Sequence, residues 1–444
     1  MTLALVALCS VLSAAPAKPL FPYPLKTSVL KNGLSVTRVA FNSPGLVAYY
    51  SVVRVGSRNE VEPGHTGFAH FFEHVMFKGT KSWPEGTRDG LLGKLGFAEN
   101  AFTSDDVTVY HLDGPSSALP KLIELEADRF RNLEYNESTF QTEAKAVLGE
   151  YHKNAASPGL KIEEAILAQA FKKHPYQHTT LGFYEDVQAM PTRYEYSKKF
   201  FQRWYTPDNV MIFIVGDFDD AKTMQDIETH YGSWAGKAAT LEVPAEPPQD
   251  AARIATVTWT NPTLPRHGVY WRSPASSLKT SEGAVQHVLA AYLAGPTSPL
   301  YKSLVLEQQL VEQLGGDYQD HRDPSLFGIR ATFKDEAQRA TISAAIDAAV
   351  AELVAGKVDA KRVTDIKDNI RYGVAMGLET HGAVAQELAV IGGILGSPQA
   401  FELRQRGVSQ IKPADLVAFA KKHLLEKNRT TLVFNVDVAK RGAK

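Results

Sequence analysis

The chain has 444 residues, 44% hydrophobic and 22% charged, with 48 Lys and Arg against 49 Asp and Glu for a net charge of −1. That composition excludes a disordered or fibrous protein, and the balanced charge offers no bulk attraction to nucleic acid or an anionic membrane. No apolar run reaches the ~18 residues of a membrane span, and a single cysteine, Cys9, excludes a disulfide framework, a cysteine-type zinc site and a cysteine nucleophile within a folded domain.

Residues 1–17 carry no charged side chain. An apolar run from Leu3 to Leu12 precedes small residues at Ala15 and Ala17, the pattern of an export signal with an A-x-A cleavage site. The chain is therefore expected to be exported, to the periplasm of a bacterial cell. Strand-like alternation follows over Leu34–Ala40, and a Val- and Tyr-rich run, Leu46–Val55, reads as a buried strand. After a polar turn at Gly56–Asn59, a helix is predicted over Gly67–Lys78, with Thr66 as N-cap and Gly79 just past its end. A strand over Val107–Leu112, helices over Leu119–Phe130 and Ser138–Asn154, and an apolar strand over Asn209–Gly216 complete the first part. The proline-rich stretch 236–250 reads as a linker. It separates a domain over residues 18–235 from one over 251–444. The second part echoes the first in the order of its elements: Val269–Arg272 as an early strand, Ala284–Leu293 as a helix, and Thr431–Asp437 as a counterpart of Met211–Asp217.

Chemistry is concentrated in His70-Phe71-Phe72-Glu73-His74. Positions i and i+4 share a helix face, so His70 and His74 would aim two imidazoles at one point. Zinc accepts neutral imidazole nitrogen, and Glu73 beside the same face could take a proton from water. The helix is apolar on most of its surface, and buried His and Glu need partners. A catalytic zinc takes three protein ligands. Glu143 and Glu150 lie two turns apart on an otherwise apolar stripe of the helix Ser138–Asn154. One could be a ligand and the other could orient a histidine; the stripe does not choose between them.

The segment VGSRNEVEPGHTGFAHFFEHVMFKGT (Val55–Thr80) resembles the inverzincin zinc peptidases of the pitrilysin type, most of all the mitochondrial processing peptidase branch and its bacterial relatives. ENAFTSDDVTVYH (Glu99–His111), EAKAVLGE (Glu143–Glu150), HPYQHTTLG (His174–Gly182) and YTPDNVMIFIVGDF (Tyr205–Phe218) resemble further family blocks in the same order. The resemblance implies an α+β fold of two related domains, each a β-sheet covered by helices on one face. It implies one Zn²⁺ per chain, held by His70, His74 and Glu150, with Glu73 as general base and Glu143 supporting a ligand. It further implies that Asn100, Ala101 and Phe102 lie on an edge strand pairing with a peptide substrate, and that Phe77 lines the pocket after the scissile bond. Phe97 departs from the family, which commonly has a second glycine there.

In the second half, SPLYKSLVLEQQL (Ser298–Leu310) is a weaker match. Full-length relatives carry an Arg and a Tyr seven residues apart around this block, and here those positions are Val305 and Glu312. Their absence suggests a heterodimer with a same-fold subunit that lacks the zinc residues and carries the Arg/Tyr pair. A self-sufficient homodimeric peptidase and a non-catalytic, peptide-binding scaffold are the alternatives. His174 and His178 are also i, i+4, but Pro175 between them argues for a loop. His287 has no second histidine on its helix, so metal is expected only in the first half. No nucleotide-binding glycine motif and no G-x-S-x-G elbow is present.

Overall fold

A strand buried on both faces must be apolar at successive positions rather than at alternate ones. Strand β3 (Leu46–Val53) has this character and is buried from Val47 onward. The computed structural model describes residues 21–437, and β3 lies near the middle of its first sheet. The first sheet also contains β1 (Lys26–Val29), β2 (Ser35–Ala40), β4 (Ala98–Thr103), β5 (Thr108–Pro115) and β6 (Val210–Gly216). Their order is β1-β2-β6-β3-β5-β4. The second sheet holds β7 (Arg253–Trp259), β8 (Arg266–Ser273), β9 (Val311–Asp317), β10 (Ser325–Phe333) and β11 (Arg429–Val436), ordered β7-β11-β8-β10-β9.

The two orders correspond strand for strand once the extra edge strand β1 is set aside. In each sheet the single parallel pair has the same place, β2 with β6 and β7 with β11, and the other neighbours are antiparallel. The stretch 236–250 between the halves contains no helix or strand.

Each sheet packs helices of its own half on one face. Val47, Tyr49, Ile212 and Ile214 belong to a core shared with Phe71, Phe72 and Phe140. The opposite face is covered from the other half. Ala48, Tyr50, Val52, Phe213 and Val215 pack on the helix His381–Leu395, and Tyr270, Leu432 and Phe434 pack on Ile162 and Ile166 of the helix Pro158–Ala170. The halves thus exchange one helix each. The contact is close: a Cβ at Gly393 would lie 2.5 Å from the Val52 side chain, so only glycine lets helix and sheet approach this far.

No helix among the described residues is long and apolar enough to cross a membrane. The export signal read in residues 1–17 lies outside the described residues.

Candidate metal centre

The motif helix spans Phe68–Val75. Thr66, expected as its N-cap, does not cap it: its hydroxyl donates to Asp186 Oδ2 at 2.7 Å and accepts from the Phe183 amide. The helix starts instead at Gly67, with φ of +88° and space for a Cβ closed off by the Leu181 carbonyl at 2.7 Å. Its first amides are taken by the buried Glu60 carboxylate, which accepts from Gly67 N and Ala69 N at 2.7 Å each. A negative group at a helix N-terminus is favoured by the free amides and the macrodipole. Burial nevertheless pushes the Glu60 carboxyl up to about 8. Phe71 and Phe72 anchor the helix from below, and the Tyr110 hydroxyl donates to the Phe72 carbonyl at 2.9 Å.

His70 and His74 project from one face, as their spacing predicts. Glu150, on the helix Glu137–Ala155, meets both: its Oε2 lies 3.5 Å from His70 Nε2 and 3.3 Å from His74 Nε2. Donor atoms of the three residues lie within 4.8 Å of one another, the single such group among the described residues. Two nitrogens and an oxygen at 2.0–2.1 Å from a tetrahedral zinc would sit about 3.3–3.4 Å apart, so the donor set and its two histidine–carboxylate spacings fit that ion. Burial, reinforced by the neighbouring His74, pushes His70 down to about 4 and keeps its imidazole neutral, the form a metal needs. Its Nδ1 is buried without a partner.

Glu143 lies beside His74, 3.8 Å from Nδ1, and its other oxygen accepts from Lys78 Nζ at 2.6 Å. His74 first, then Lys78, holds the Glu143 carboxyl below its ordinary value, and Glu143 in turn raises His74. Glu73 is half-buried, and burial raises its carboxyl. The Thr103 hydroxyl donates to Glu73 Oε2 at 2.7 Å. A cavity of about 470 Å³ opens over these groups, lined among others by His70, Glu73, Phe102, Thr103 and Glu150.

Asn100, Ala101 and Phe102 lie on β4, the edge of the first sheet, which pairs only with β5 among the described residues. Phe102 faces the cleft. Phe77 packs half-buried on the first core, its ring 5.5 Å from the Arg129 guanidinium. Phe97 is buried over Gly114, so the departure from glycine is absorbed by ring packing. Val305 packs half-buried on the second core, and Glu312 is exposed on β9 and paired with Lys334 at 2.7 Å. His174 and His178 lie in a loop, as Pro175 implied; His174 contacts Asp323, and His178 Nδ1 contacts the Thr179 carbonyl. His287 lies 3.5 Å from Arg404, shares a cavity with Glu387, and belongs to no cluster of three metal-binding groups among the described residues.

Glu60, Lys78 and Thr103 were not singled out in the sequence. Lys78 sits four residues beyond His74 and could have been found as a cation near the motif. Glu60 and Thr103 reach the site through loop and sheet geometry.

Two protein-family models match in tandem: Insulinase (Peptidase family M16) over residues 46–182 and Peptidase M16 inactive domain over residues 193–370. The chain is 29% identical to the zinc protease PqqE of Helicobacter pylori over 91% of either chain. It is 24% identical to the probable mitochondrial-processing peptidase subunit beta of Schizosaccharomyces pombe, over 91% of this chain and 89% of that one. A crystal structure of a protease from Helicobacter pylori superposes with a TM-score of 0.84 at 28% identity, covering 93% of this chain and all of that one. With two models of one family matched head to tail and that family's fold repeated in both halves, the chain belongs to the M16 peptidases.

Proposed function

We propose that the chain is a zinc metalloendopeptidase subunit hydrolysing peptides or unfolded segments, with His70, His74 and Glu150 as ligands and Glu73 as general base. The observation that carries this reading is the convergence of three neutral-or-anionic donor atoms within 4.8 Å, beside a half-buried carboxylate held by Thr103. Zinc in such a set supplies Lewis acidity toward the scissile carbonyl and the attacking water. Thr103 occupies Oε2 of Glu73. Glu73 takes the proton of the attacking water at Oε1 and passes it to the leaving amine. Glu143 orients the His74 ring, and Lys78 offsets its charge. The free edge of β4 at Asn100–Phe102 aligns the substrate backbone by strand addition. The leader-like residues 1–17 support export to the periplasm.

A different subunit completes the enzyme. Val305 cannot donate to a carbonyl oxygen, and the carboxylate of Glu312 would repel a developing oxyanion. The partner has the same fold, lacks the zinc residues and supplies the Arg/Tyr pair. Purified alone, the chain should hold one zinc and cleave an unstructured peptide library poorly; adding the partner should raise the rate. Full cleavage by the isolated chain would favour the homodimer, and absence of zinc would favour a scaffold. Val305→Arg with Glu312→Tyr should give the isolated chain some activity if it self-associates in the same facing geometry.

A further inference from the structure

Thr103 is the last residue of an edge strand, and its hydroxyl is what holds Glu73. Its position depends on the loop that follows, Ser104–Val107, which joins β4 to β5. The loop closes on itself through Ser104 N to Val107 O at 2.8 Å and Val107 N to Ser104 Oγ at 3.2 Å. Its two central residues are acidic and are gripped from outside. Asp105 accepts from the Ser57 hydroxyl at 3.0 Å through its carboxylate and from the Arg58 amide at 2.9 Å through its backbone carbonyl. Asp106 is 1% exposed and accepts from the Tyr176 hydroxyl at 2.8 Å and from the backbone amide of Arg322 at 3.1 Å.

Arg322 belongs to the second half, in the loop between β9 and β10 that is the counterpart of Ser104–Val107. The neighbours of Arg322 in that loop join the same cluster. His321 Nδ1 lies 3.4 Å from Asp106 and 3.6 Å from Asp105. Asp323 Oδ2 accepts from Arg58 Nε at 2.6 Å and lies 2.9 Å from His174 Nε2. Two equivalent hairpin loops, one from each half, therefore clasp one another, and one of them ends at the residue that fixes the general base. Buried charges in such a cluster are held tightly only when each is paired.

Resting on the peptidase reading above, we propose that His321 is a positioning residue: across the boundary between the halves it fixes Ser104–Val107, and through Thr103 it sets Glu73 for proton transfer. The second half then contributes to the reaction without touching zinc or substrate at this point.

The test uses the enzyme in whichever assembly cleaves peptide, with zinc content, kcat and KM measured for His321→Ala, His321→Gln, Thr103→Val and the double variant His321→Ala/Thr103→Val. His321→Ala should keep its zinc and its KM and lose about 10- to 100-fold in kcat, the scale of a small misplacement. His321→Gln, which offers an amide donor beside Asp106, should recover most of that loss. The double variant should be no slower than Thr103→Val alone, because residues acting in series are not additive. Arg253→Ala removes a different contact between the halves, to the Gln169 carbonyl at 2.8 Å, and should leave kcat unchanged. Amide exchange supplies a readout independent of turnover: Ser104 should lose protection in His321→Ala while the motif helix keeps its own. Wild-type kcat in His321→Ala, additive losses in the double variant, or an equal loss of kcat in Arg253→Ala would each overturn the inference. If no assembly of the wild type cleaves peptide, the peptidase reading fails by itself, and unchanged exchange at Ser104 would still sink the role of His321.

Discussion

The two halves share strand order, strand sense and helix placement, yet among the described residues only the first brings three metal-binding groups together. In the first, the motif helix offers two histidines and the helix Glu137–Ala155 answers with Glu150 at its fourteenth position. In the second, the helix Glu282–Ala294 offers His287 alone, and the fourteenth position of the helix Ala360–Gly377 is Gly373. His287 and Gly373 line a cavity of about 300 Å³ where the first half has its donors. The same scaffold thus forms in the second half without that donor set. What distinguishes the two sites is three or four side chains on two helices.

The sharpest way to probe this difference is at Glu73. Glu73→Gln leaves the three donors in place and should reduce turnover by about 10²–10⁴-fold with zinc retained, as removal of a general base does; near-normal turnover at saturating zinc would show that another group takes the proton. Next comes the division between the two glutamates. Glu150→Gln should shed zinc to a mild chelator, and Glu143→Gln should weaken zinc binding by about 10- to 100-fold, with the reverse order in a titration refuting the assignment.

A smaller effect is expected where the halves meet. Burial opposes protonation of His321, but the carboxylates of Asp106 and Asp105, with Asp317 farther off, outweigh burial and raise its pKa; the Tyr176 ring packs against the imidazole. A histidine with a raised folded-state value stabilises the fold below its unfolded value of about 6.5, and that stability is lost as pH rises through the folded value. The Tm gap between wild type and His321→Ala should thus be widest below about pH 6.5 and narrow on the alkaline side; a gap independent of pH would place the charge elsewhere. The smallest effect belongs to His287→Ala, which should leave zinc at one per chain. A drop below one would mean that the second half is not metal-free.

Local patterns were legible. The i, i+4 histidines, the continuous apolar runs of β3 and β6, and the stripe holding Glu143 and Glu150 all lie within single elements, where period 3.6 or 2 reports the buried face. Which glutamate meets both histidines could not be told from that stripe, since both share it and only the approach of the motif helix separates them. Glu60 and Thr103 were illegible for a related reason: one caps a helix from seven residues upstream, and the other reaches Glu73 from a different strand. Thr66 looked like a cap because threonine before an apolar run usually is one; the Gly67 conformation turns its hydroxyl toward Asp186 instead. The helix His381–Leu395 consists mostly of apolar and small residues, but nothing local says that it covers the sheet of the opposite half.

That exchange also governs how the chain can come to be folded as it is made. Strands β3 and β6 can pair as soon as residue 216 has left the ribosome, and one side of their sheet can be closed by helices already synthesised. The other side, with Tyr50, Val52, Phe213 and Val215, waits for residues 381–395. A completed first half therefore carries a broad apolar face while most of the second half is made, the kind of surface that draws chaperones or aggregates. The order of residues along the chain makes this a protein that covers the far face of its first sheet almost last.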